Sequence, residues 1–257
     1  MENALKTPQS PRPAALVTGA GRRIGRAIAL KLVAAGWDVA IHCGHAVEEA
    51  ETVARAAEVA GARAVVLPAD LADETAVATL VARAAEALGP LRLLVNNASL
   101  FEDDRFGGLD REGWDRHFAV NLRAPVVLAE AFAAQAGEGA AIVNLLDQRV
   151  LRPNPLFFSY ALTKSALWTA TQMMAQALAP AIRVNGVAPG PVLASCHQDE
   201  DSFAREAAGT LLERPSAPDE IADAVLFLAT APSVTGQLIA VDAGQHLGWR
   251  TPDMIMG

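Results

Sequence analysis

The stretch Ala14-Ala15-Leu16-Val17-Thr18-Gly19-Ala20-Gly21-Arg22-Arg23-Ile24-Gly25 decides the fold. Residues 14–18 form a short continuous apolar run of the buried-strand type. A glycine-rich turn follows, and over 24–35 the apolar residues recur at helical spacing. Glycine permits a tight turn and lets the backbone approach a phosphate. The helix behind the turn offers unpaired N–H groups and the positive end of its dipole. A strand before and a helix after make this a phosphate-binding unit, where a lone glycine motif would say little.

The alternation continues outward from that turn. Strands are predicted over 39–41, 64–67, 91–95, 140–146, 182–187 and 238–241, and helices over 47–60, 73–88, 110–136, 156–179 and 218–229. Pro68 ends the third strand, Asp73 caps the helix after it, and Gly89-Pro90 stops that helix. Strands separated by helices of a dozen residues imply βαβ units, hence a parallel sheet with helices on both faces. Right-handed crossovers make it a doubly wound α/β sheet. We read one domain over 14–248, with a short loose tail over 1–13 and a C-terminal tail over 249–257. The first tail is polar and proline-bearing and lacks the apolar core of a secretory signal. Residues 190–214 follow a strand's C-terminal end, are acidic and sparse in apolar positions, and read as an irregular substrate loop.

Composition narrows the function. Of 257 residues, 52% are hydrophobic and 19% charged, which suits a large core and excludes a disordered chain. A net charge of −8 argues against a nucleic-acid binder and gives no reason to sit on anionic lipid. No apolar run is long enough to predict a membrane span. Cys43 and Cys196 are too few for a disulfide framework or a four-thiolate zinc site. They read as free thiols of a cytoplasmic protein, and no metal site is expected.

Two readings carry chemistry. Nicotinamide enzymes that use NAD place an acid near the end of the second strand for the ribose 2′-hydroxyl. Here that strand runs into Ile41-His42-Cys43-Gly44-His45, with no acid before Glu48, and Asp38 lies at its far end. Arg22 and Arg23 supply positive charge for a 2′-phosphate, with His45 assisting, so NADP(H) is the expected cofactor. The second reading is Tyr160-Ala161-Leu162-Thr163-Lys164, which uses the chain's one tyrosine and one of its three lysines. Positions i and i+4 share a helix face, so both side chains address one point. A nearby ammonium is expected to lower the tyrosine pKa toward neutrality and make it an acid–base group.

These motifs resemble the short-chain dehydrogenase/reductase family from residue 16 to about residue 247. The glycine turn is similar to that family's TGxxxGxG, with Arg23 on its second glycine and Gly25 on its third. The resemblance implies a Rossmann-type, mainly parallel seven-stranded sheet of order 3-2-1-4-5-6-7. It implies cofactor contacts from Gly19, Arg22, Arg23, Ile24, His45, Asp70, Leu71, Asn97, Ala98, Ser99, Tyr160, Lys164, Pro189 and Gly190. Asp70 would bond the adenine amino group, Pro189-Gly190 would lie beside the carboxamide, and Lys164 would bond the nicotinamide ribose. Asn121 matches the helix asparagine that holds a relay water, and Val241-Asp242-Ala243-Gly244 is close to VDGG. The family usually forms tetramers through its long helices, which makes a homotetramer the expected assembly.

One position departs from the broad family. Thirteen residues before Tyr160, where a serine usually holds a carbonyl oxygen, stands Asp147. Arg22-Arg23, Ser99, Phe101 and Asp147 resemble the pteridine reductase and dihydromonapterin reductase branch. That likeness implies a pterin substrate held by Arg23, Ser99, Phe101, Asp147 and Tyr160. The Phe101 ring would stack on the pterin, and Asp147 would accept bonds from ring N–H and amino groups. Catalysis would fall to Asp147, Tyr160, Lys164 and Asn121. The rival readings are a carbonyl reductase of the same fold and a non-catalytic NADP-binding protein.

Overall fold

The seven strands are β1 (Ala14–Val17), β2 (Asp38–Cys43), β3 (Ala64–Pro68), β4 (Leu91–Asn96), β5 (Ala140–Leu145), β6 (Ile182–Pro189) and β7 (Leu238–Val241). Every adjacent pair is parallel, in the order β3-β2-β1-β4-β5-β6-β7 that the resemblance implies. This computed structural model describes residues 12–195 and 197–249. Cys196 and most of both tails read from the sequence lie outside the described residues.

Among the described residues, eight helices connect the strands: α1 (Arg23–Ala34), α2 (Val47–Val59), α3 (Glu74–Leu88), α4 (Arg111–Phe118), α5 (Ala124–Gln135), α6 (Phe158–Leu178), α7 (Glu200–Ala208) and α8 (Pro218–Thr230). Side chains alternate across each strand, so the sheet feeds two cores. Ala15, Val17, Val39, Ile41 and Val143 pack under α1, α2 and α8 through Ile28, Leu32, Val53, Val225 and Leu228. Ala14, Leu16, Ala40 and Ile142 face α3, α5 and α6 through Leu80, Leu128, Phe132 and Ala175. Asp73 caps α3 by accepting from the N–H groups of Thr75 and Ala76. Asp38 does lie at the far end of β2, where it is buried and paired with Arg63 at 2.7 Å.

Two predicted segments differ. The helix expected over 110–136 is broken into α4 and α5 by a π-helical turn, Ala119–Arg123. Asn121 sits inside that turn, buried, and its amide bonds the Leu100 backbone in both directions, at 2.8 and 2.9 Å. Pro125 cannot donate the next helical N–H, so a wider turn there costs less than it would elsewhere. The second difference is α7, in the segment read as irregular. Asp199 caps it by accepting from Ser202 N at 2.7 Å. It buries only Ala207, so it left no apolar period to read.

Candidate active site

The C-terminal ends of β1, β4, β5 and β6 converge on a cleft of about 640 Å³, within the range of small-molecule sites. Its lining brings together Arg23, Ile24, Asn97, Ser99, Phe101, Asp147, Tyr160, Lys164, Pro189 and Gly190. Gly19, Arg22, His45, Asp70, Leu71, Ala98 and Asn121 are outside that lining. Arg22, His45 and Asp70 are exposed, with Arg22 reaching Glu49 of α2 at 3.7 Å.

The glycine turn is built from the backbone. Gly19 has φ +64, which suits glycine. A Cβ on Gly25 would run into the Gly19 carbonyl and stand 2.6 Å from Asn97 Nδ2. The turn is tied to β4 through Thr18, whose hydroxyl accepts from Asn97 N and Ala98 N at 2.9 Å each. His42, in β2, completes it: its Nδ1 accepts from Gly19 N at 3.1 Å while Nε2 donates to Ala69 O at 3.1 Å. The Gly19 N–H can only donate, so the tautomer is set, and burial holds the His42 pKa below its ordinary value. Sequence reasoning missed His42; a histidine inside an apolar strand was the available signal.

Arg22 and Arg23 divide. The Arg23 guanidinium donates to Leu193 O at 3.0 Å and Ala194 O at 2.9 Å, joining the turn to the loop after β6. Only Arg22 is left to point along α2.

Tyr160 donates its hydroxyl to Asp147 Oδ2 at 2.9 Å. Lys164 Nζ donates to Leu145 O at 2.8 Å and lies 5.6 Å from the Tyr160 ring centroid. The expectation that Lys164 lowers the tyrosine pKa is corrected here. Burial and the Asp147 carboxylate push Tyr160 well above its ordinary value. Burial also brings Lys164 down to about 8. Both residues are almost fully buried, so desolvation is the largest cause of each shift.

Asn121 anchors the loop after β4: its Oδ1 also accepts from Ser99 Oγ at 3.1 Å, and its Nδ2 donates to Thr163 Oγ1 at 3.3 Å. Phe101, on that loop, stacks on Phe157 at 4.1 Å with 17° between planes. It meets the Tyr160 ring edge-on at 4.7 Å. His197, from the loop after β6, reaches Phe101 O at 3.1 Å. Phe157, His197 and Arg149 were not foreseen. For Arg149 the signal was Asp147 itself, since a half-buried carboxylate calls for a neighbouring cation.

A family model described as enoyl-(acyl carrier protein) reductase matches residues 19–246. FolM alternative dihydrofolate reductase 1 from Brucella canis, solved in complex with NADP, is 47% identical with a TM-score of 0.91, over 95% of this chain and 98% of that one. A short-chain type dehydrogenase/reductase from Picea abies is 35% identical over 248 residues, 90% of this chain and 91% of its own. The 3-oxoacyl-[acyl-carrier-protein] reductase FabG of Aggregatibacter actinomycetemcomitans is 34% identical over 238 residues, 89% and 97% of the two chains.

Proposed function

Because this chain belongs to the short-chain dehydrogenase/reductase family, we propose that it is an NADPH-dependent reductase of a pterin-type substrate: a dihydropteridine, dihydromonapterin or dihydrofolate. The observation that carries the reading is Asp147, held at the Tyr160 hydroxyl inside an aromatic-lined cleft. A carboxylate accepts N–H and amino donors along a pterin edge, which a carbonyl substrate does not offer. The likeness to a dihydrofolate reductase solved with NADP supports the same substrate class and cofactor.

The residues present fit the cofactor. A glycine cradle that any Cβ would fill stands at a helix N-terminus, next to Asn97 and Ser99. Arg22 and His45 would face the 2′-phosphate, Asp70 and Leu71 the adenine, Pro189 and Gly190 the carboxamide, and Lys164 the ribose. When bound, NADPH supplies the hydride for a ring C=N carbon. Tyr160 holds the proton at its Oη, kept there by the Asp147 carboxylate. Phe101 offers its face to the flat ring, and Asn121 keeps the loop carrying Phe101 in place. As a cytoplasmic homotetramer, the protein would pair its long helices α4–α5 and α6 with those of its neighbours.

The test is NADPH oxidation by the purified protein with dihydrobiopterin, dihydromonapterin and dihydrofolate, beside a panel of ketones and a 3-oxoacyl thioester. Turnover confined to the pterins is expected. A second reading, a carbonyl reductase, draws support from the likeness to FabG, and turnover confined to carbonyls would establish it in place of the first.

A further inference from the structure

Arg149 belongs to none of the sequence motifs, yet it lines the cleft. It lies in the short 3₁₀ turn Gln148–Val150 that Asp147 caps. The Asp147 Oδ1 accepts from Arg149 N at 2.8 Å. Its Oδ2 accepts twice, from Arg149 Nη1 at 3.0 Å and from Tyr160 Oη at 2.9 Å. The Arg149 guanidinium carbon lies 5.7 Å from the Phe101 centroid and 5.5 Å from that of Phe157. Arg149 and Asp147 side chains are 15% and 14% exposed, so solvent screens the pair little. Arg149 Nε is buried with no protein partner among the described residues.

A salt bridge at the surface would contribute little. Here the cation and the hydroxyl share one carboxylate oxygen, so whatever holds the one orients the other. We infer that Arg149 is a positioning residue for proton transfer: its guanidinium clamps the Asp147 carboxylate against the Tyr160 hydroxyl and sets how readily Tyr160 gives up its proton. The cation on Oδ2 offsets part of the negative charge set against the phenol, so Tyr160 gives up its proton more readily with Arg149 in place than without it.

Four other charged or titratable groups near Tyr160 have partners of their own. Lys164, on α6, is bonded to Leu145 O. His117, on α4, has its ring 6.5 Å from that of Tyr160 and is engaged by Ser159 and Glu102 N. Asp104 caps the start of α6 through Ser159 N, and His197 packs on Phe101 rather than on Tyr160. The inference rests on the reductase reading for the use made of the proton, but the clamp itself can be read with no substrate.

Tyr160 is the only tyrosine of the chain, so phenolate ultraviolet absorbance reports it alone. The titration is run on wild type, Arg149→Met, Arg149→Lys, Asp147→Asn and the double variant Asp147→Asn/Arg149→Met, with circular dichroism on each. Arg149→Met is expected to raise the Tyr160 midpoint by about one pH unit, as loss of an adjacent cation does. Arg149→Lys should return it toward wild type, and Asp147→Asn should lower it. The double variant removes both charges, leaves no unpaired buried ion, and should titrate above Asp147→Asn. A Tyr160 midpoint unmoved by loss of Arg149, in either the native or the Asp147→Asn background, overturns the clamp. These shifts without pterin turnover would overturn the proposed substrate and leave the clamp standing.

Discussion

The two walls of the cleft are made by different means. The cofactor wall, after β1 and β4, is largely a backbone structure: Gly19, Gly25, Thr18 and Asn97 are tied by contacts that each include a main-chain atom and allow no added carbon at Gly25. The substrate wall is a side-chain structure. Phe101, Asp147, Arg149, Phe157 and His197 reach it from the loop after β4, the turn after β5, the start of α6 and the loop after β6. The first wall is fixed by close main-chain approaches, so its tolerance is small. The second can change substrate by changing side chains while the strands stay put.

That contrast can be broken at Tyr160, where both walls meet. Tyr160→Phe should lower kcat by about 10²–10⁴-fold while NADPH affinity holds. Loss of NADPH binding, read by nucleotide fluorescence, would mean that the two walls are not separable.

Gly25→Ala strikes the cofactor wall alone. It should cost about 3 kcal/mol of stability, since neither the Gly19 carbonyl nor the Asn97 amide can retreat. Denaturant melts check the cost, and NADPH affinity should fall with it. A variant as stable as wild type would show the turn to be pliable.

Lys164 sharpens the comparison through pH. Its pKa falls from an ordinary 10.5 to about 8 on folding, because burial disfavours the ammonium. Between those values the unfolded chain binds more protons than the folded one, so stability rises with pH. Tyr160 is shifted the other way and begins to subtract stability above its ordinary value of 10. The clean window is therefore pH 8 to 10. Relative to Lys164→Met, wild type should gain about 2–3 kcal/mol across it. Parallel pH dependence of the two proteins in urea melts would show that Lys164 is not desolvated.

The smallest effect is expected at Thr18→Val, which keeps the shape and leaves Asn97 N and Ala98 N without their acceptor. The loss should be about 1–3 kcal/mol. If melting is unchanged while NADPH affinity drops, the hydroxyl orders the nucleotide site without supporting the fold.

Much of the cofactor wall was legible because its rules are local. Strand, glycine turn and helix follow one another within about a dozen residues, and Tyr160 with Lys164 is an i, i+4 relation. The strand order followed from the likeness of those motifs to a known family. Local rules failed where a side chain's partner is distant in sequence. The π turn at Asn121 exists to reach Leu100 and Thr163, 21 and 42 residues away. Arg23, read as a ligand of phosphate and substrate, also holds Leu193 and Ala194, 170 and 171 residues on.

The tyrosine pKa shows the division most plainly. By itself the sequence determined that Tyr160 and Lys164 share a helix face, that Asp147 stands where a serine is usual, and that a doubly wound sheet carries them all. Only the tertiary structure decided the sign of the shift. Whether the nearest charge to a phenol is an ammonium or a carboxylate, and how much water reaches it, depends on how β5, α6 and the turn at Arg149 pack together. Desolvation and the shared oxygen of Asp147 are properties of that packing, and no spacing along the chain encodes them.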